Sequence, residues 1–152
     1  MPAPTGPAAQ IKTEIKTLLD ALVTDGVIGA VIQEDISKNV LDLDFPSYPC
    51  AVLGTSNMLS AYEYPQSNRR TYQYDILIVQ LQDNLSGVAD MENIRDAIAL
   101  KFDNAITLSG AAPFGVEAVS SPQEIFQQND KTYVLFNVTI KATTVVSLTY
   151  TF

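Results

Sequence analysis

The sequence predicts an α+β domain, a mainly antiparallel sheet with two helices packed on one face. Three observations lead there. Residues 71–82, TYQYDILIVQLQ, hold β-branched and aromatic side chains with no Gly or Pro, a composition suited to a buried strand. Residues 8–23 and 88–105 each repeat apolar side chains at helical spacing. Short apolar runs broken by Gly, Pro and Asn fill the remainder, giving the order helix, strands, helix, strands.

The opening heptapeptide, with three prolines and a glycine, reads as a flexible arm over residues 1–7. Ile11, Ile15, Leu18, Leu19 and Leu22 then form one face of a helix from about Ala8 to Val23, stopped by Asp25 and Gly26. Val27 to Gln33 suits a short strand, and Glu34 to Asp44 is acidic and turn-prone, with Pro46 and Pro49 at its exit. Residues 50–54 read as a strand ended by Gly54, and Met58 to Tyr64 as another closed by Pro65. The polar segment PQSNRR reads as the turn into the central strand. A hairpin centred on Asn68 sets Tyr62 against Tyr74, Tyr64 against Tyr72 and Met58 against Ile78, stacking four tyrosines on one face.

After the central strand, Asp83 or Ser86 is placed to cap a second helix whose buried stripe is Val88, Met91, Ile94, Ile98 and Phe102. Val116 to Val119 forms a short strand broken by Pro122. Residues 132–142 form the last strand, and its alternation continues through Val146, Leu148, Tyr150 and Phe152. Together they exceed the usual ~10-residue strand limit. The expected organisation is therefore a single domain over 8–142 and an extended strand over 143–152 that bends or leaves at Thr143 and Thr144, then pairs with a neighbouring subunit or partner by strand addition. Ile76 to Val79 carries apolar residues on both faces, so two layers of cover are needed. Two helices supply one. Leu77, Val79, Tyr133 and Leu135 on the other face await a protein partner.

Composition narrows the function classes. At 152 residues the chain suits one domain that buries a sizeable core. Apolar residues make up 47% and charged residues 17%, consistent with a surface partly covered by other protein. A net charge of −8 with only nine Lys and Arg argues against specific nucleic-acid binding, though DNA could pass beside it. There is no histidine, hence no imidazole base and no histidine-ligated metal. The single cysteine, Cys50, reads as a small buried hydrophobe. No phosphate-cradling glycine loop and no long apolar span occur, and the start lacks a leader pattern, so a soluble, cytoplasmically made, non-enzymatic protein without cofactor or metal is expected. The triplets at Asn84 and Asn137 then carry no meaning as glycosylation sites. Glu34, Asp35, Asp42 and Asp44 fit a solvated acidic loop or an oxygen site for a hard cation. Asp75 and Glu63 could face each other near the hairpin, as a carboxylate pair or as rim charges. Arg69 and Arg70 fit a solvated, mobile turn or an interface contact.

This order of elements, with RRTYQYDILIVQLQDN feeding the acidic-start helix VADMENIRDAIALKF, resembles the tail terminator (tail completion) proteins of long-tailed bacteriophages over roughly residues 8–142. Neck and head-closure proteins look similar. The resemblance implies a structural virion protein, assembled in the host cytoplasm, that forms a homohexameric ring, stops growth of the tail tube and joins it to the head or neck. It implies the tail tube protein and a neck protein as partners. A lumen lined by Glu34, Asp35, Asp42 and Asp44 would repel passing DNA. The alternative from a different class is a monomeric or dimeric binding module that captures a peptide at a sheet face or edge.

Overall fold

The computed structural model describes residues 6–33, 45–64, 67–85, 88–128 and 130–147. Helix α1 (Pro7–Thr24) opens on a proline in its first turn, where the missing N–H costs nothing, and buries Ile11, Ile15, Leu19 and Leu22. It stops where Gly26 turns left-handed at φ 79° and its N–H bonds to the Val23 carbonyl. There follow β1 (Ala30–Gln33), β2 (Cys50–Tyr64), β3 (Ser67–Leu81), α2 (Val88–Asp103), β4 (Val116–Ser120), β5 (Glu124–Gln128) and β6 (Lys131–Ser147). The expected helices and the expected central strand are all present.

The six described strands form one mixed sheet in the order β1-β2-β3-β6-β4, with β5 also on β6. β1 runs parallel to β2, and the other pairings are antiparallel. Because β3 holds one side of β6, β4 and β5 share the other, β4 against Val138–Ala142 and β5 against Lys131–Leu135. Both helices lie on one face, where Ile11, Leu19, Met91, Ile98 and Phe102 meet Leu53, Tyr74, Ile76, Ile78, Phe136 and Ile140 in the main core. The Tyr74 hydroxyl donates to the Ala8 carbonyl at 2.6 Å, pinning the start of α1 to the sheet.

Four expectations are corrected. First, β2 is one strand, since Gly54 is not its end. The register with β3 shifts between Leu53 and Ser56, so that two residues of β2 oppose one of β3. This bulge reverses the alternation, and Leu53 and Met58 consequently share the helix face, opposite Ile76 and Tyr72. Second, the hairpin is not centred on Asn68. Tyr64 opposes Ser67 and Tyr62 opposes Asn68, so Met58 meets Tyr72, not Ile78, and Ser56 meets Tyr74. The stack of four tyrosines is not formed. Arg69 and Arg70 are strand residues, opposite Ala61 and Ser60 on one side and Val145 and Thr144 on the other. Two neighbouring strands satisfy their backbone, which overrides the turn-like composition.

Third, β6 does not leave the sheet at Thr143 and Thr144. It stays paired to Ser147 because β3 is long enough to run beside it down to Ser67. Its 17 residues exceed the usual strand length. Leu148, Tyr150 and Phe152 lie outside the described residues, as do Glu34, Asp35, Asp42 and Asp44. Fourth, the second face is not bare. Val52, Val79, Tyr133 and Leu135 are buried there within the chain, under Phe45 and Tyr48, with Leu77 half-buried beside them. The segment 45–49 crosses close over Gly29, whose N–H donates to the Pro49 carbonyl at 2.7 Å. A Cβ on Gly29 would collide with the Ser47 side chain and sit 2.8 Å from the Tyr48 carbonyl oxygen.

Candidate assembly surfaces

No three His, Cys, Asp or Glu side chains converge among the described residues. Asp75 and Glu63 are not brought together. Asp75 accepts from the Thr139 hydroxyl at 2.7 Å beside the bulge, whereas Glu63 lies at the hairpin end between residues opposite Asn68 and Ser67. A shallow groove of about 240 Å³ between α2 and the β4–β5 link is lined by Met91, Glu92, Arg95, Ser121, Pro122, Gln123 and Phe136. Arg95 there is bound to exposed Asp96 at 3.0 Å. Nothing in that arrangement orients a nucleophile against a base.

The small second core is electrostatically distinctive. Phe45, Tyr48 and Tyr133 form a ring cluster with centroids 5.8 to 6.5 Å apart. Burial foremost, with Tyr133 next, holds the Tyr48 phenol above its ordinary value. Burial also pushes the Cys50 thiol up to about 11, so it is protonated and inert at neutral pH. Val79, Tyr133 and Leu135 are thus subunit core and not the open interface the alternation implied. A covering loop and a neighbouring subunit satisfy the same apolar face, and strand composition alone does not distinguish them.

Besides Leu100 and Ile106, the exposed large apolar side chains among the described residues fall into two groups. One group is the arm built from the far ends of β2, β3 and β6, which carries Met58, Leu59 and, on the loop before β4, Phe114. The Arg69 guanidinium stacks 5.1 Å over the Phe114 ring. Arg70 is half-buried in the same arm, its Nε enclosed without a hydrogen-bond acceptor, and Val146 is half-buried opposite Asn68. The second group is at the opposite edge of the sheet, Ile125 and Phe126 on β5, with Val119 on β4. Sequence reasoning did not find β5. The available signal was a two-residue gap between IFQQ and KTYV, where Gln128 pairs with Lys131 and Asp130 takes φ 63°.

No helix among the described residues is long and apolar enough to cross a membrane. No family model matches the chain, and no curated protein matches it. Among solved structures, a chain from the "Virion of native gene transfer agent (GTA) particle" is similar at TM-score 0.45 and 10% identity, covering 88% of this chain and 94% of that one. Likeness of that degree assigns neither a family nor a role.

Proposed function

We propose that this chain is a structural subunit of a phage-type virion, a tail terminator that closes into a homo-oligomeric ring, caps the tail tube and presents a surface to the head or neck. The observation that supports this best is an architecture with no organised site among the described residues and with sheet edges that no described strand pairs. The segment RRTYQYDILIVQLQDN covers β3 from Arg69 and the 3-10 turn Gln82–Asn84, and α2 follows in sequence, the order on which the resemblance rests. Apolar side chains are exposed toward both sides of the sheet, on β2 beyond the reach of β1 and on β4 and β5, as a subunit completed by neighbours requires.

In this reading the partners are further copies of the chain, hexameric by resemblance, the tube protein and a neck protein, with the virion as location and no cofactor. The arm bearing Arg69 and Arg70 is the candidate tube contact. The test is to co-produce the chain with its cognate tube protein and measure tube lengths by electron microscopy. Short capped tubes with a ring at one end are expected, and Arg69→Ala with Arg70→Ala should lengthen them without unfolding the subunit. Tubes of unchanged, open-ended length in the presence of the wild-type chain would refute the reading. The exposed β5 edge also suits a module that captures a peptide strand, and a species that stays monomeric yet binds extended peptides would favour that reading instead.

A further inference from the structure

Two stretches at opposite edges of the sheet have no strand beside them among the described residues. β1 covers β2 only from Cys50 to Leu53, so no described strand pairs the outer edge of Ser56–Tyr64. β5 pairs with β6 on one side, and no described strand pairs its other side. Both edges carry apolar side chains in one pattern, an exposed residue on each face. On β2, Met58, opposite Tyr72, is on the helix face with 45% exposure, and Leu59, opposite Thr71, is on the second face with 59%. On β5, Ile125, opposite Val134, is on the helix face with 66% exposure, and Phe126, opposite Tyr133, is on the second face with 43%.

We propose that these edges are the two halves of one contact, in which β5 of one copy adds to the open edge of β2 in a second copy and continues the sheet from subunit to subunit. The strand directions fit. β2, β3, β6 and β5 are successively antiparallel, so a second copy in the same orientation presents β2 antiparallel to β5. Setting Phe126 opposite Leu59 places Ile125 opposite Ser60 and diagonal to Met58, giving apolar contact on both faces, and keeps β5 clear of β1, which ends opposite Leu53.

Charge selects a second copy as the occupant. In that register Glu124 falls opposite Ala61, which pairs with Arg69 of β3 on the same face, so opposite charges stand on one face of the extended sheet with a methyl-sized residue between them, and the Arg69 guanidinium would turn from the Phe114 ring to meet the carboxylate. A free peptide would fill one edge and leave the other open. Met58 lies level with Ala142 and Ile125 level with Val134, eight residues apart along β6. Each copy is therefore displaced along the strands, a shear that closes as a tilted barrel inside a ring or continues as a helical filament.

The experiment reads self-association by sedimentation velocity, without any tail component, on the whole chain. Wild type should assemble with rising concentration. Ile125→Lys and Leu59→Lys, both at exposed positions, should each remain monomeric. Mixed one to one they should form a discrete dimer, because each retains the half that the other has lost. In case either lysine variant melts non-cooperatively, Glu124→Arg and Arg69→Glu serve as a second pair, each weakening assembly roughly tenfold and the double reversal restoring it. A wild type that is monomeric at every concentration, a lysine variant that assembles like wild type, a mixture that stays monomeric, or a double reversal no better than the singles would overturn the pairing. The pairing stands on the two edges and not on the tail reading. Assembly without tube capping would leave the first and remove the second.

Discussion

At the residue scale, single atoms decide whether the second face is closed. Gly29 is small because the covering segment 45–49 passes over it, and Gly29→Ala forces that segment outward. Overpacking of this kind costs about 1 to 3 kcal/mol, to be read from urea unfolding, and should raise dye binding to the uncovered Val79 and Tyr133. The same small core is sensitive to alkali. Cys50 moves from an ordinary 9.0 to about 11 on folding, and Tyr48 is also raised, so the folded state holds protons that the unfolded chain releases first. Stability from this source is fully present below about pH 9 and is lost as pH rises through about 11. Denaturation midpoints across that window should fall, and Cys50→Ala should reduce the fall. A thiol reagent at neutral pH should label Cys50 only after unfolding.

At the element scale, the bulge in β2 is a parity switch. Because one extra residue separates Leu53 from Ser56, deleting Thr55 should remove the bulge, set Gly54 opposite Asp75 and leave Met58 opposite Tyr72 and Leu59 opposite Thr71. We expect the cross-strand nuclear Overhauser effects of those two pairs to persist in the deletion variant. Truncation after Thr143 makes a contrasting prediction. Both cores end at or before Ala142, so the domain should remain folded, while the backbone amides of 68–70 that bond to β6 exchange roughly tenfold faster or more. The helices were legible in the sequence because Ile11, Ile15, Leu19 and Leu22 repeat at a helical period no loop would keep. The hairpin was not, since Ser67–Arg70 has the composition of a turn and becomes strand only through β6, far away in sequence. β5 was missed for a related reason. Its side chains are exposed on both faces, so no alternation marks it.

At the scale of the whole molecule, the alternation in β3 and β6 correctly demanded two covers, but the identity of the second was not written in the strands. Phe45 and Tyr48 stand among prolines and read as loop, yet they supply it. That moved the candidate assembly surface from the sheet face to the sheet edges. The place of β6 in the fold has a consequence for how the chain acquires its structure. β2 and β3 are separated by only two residues in sequence and can zip within microseconds, whereas β3 pairs with β6 between residues as distant as Ser67 and Ser147. During synthesis β6 leaves the ribosome after every other described element. Until it arrives β3 presents a long unpaired side rich in Ile, Leu and Val, and β4 and β5 have nothing to join. The nascent chain therefore passes through a hairpin-and-helix stage that invites chaperones or aggregation. Pulse-labelled hydrogen exchange should show amides of β2 and β3 in their shared ladder protected before those of β4, β5 and β6, which should gain protection together.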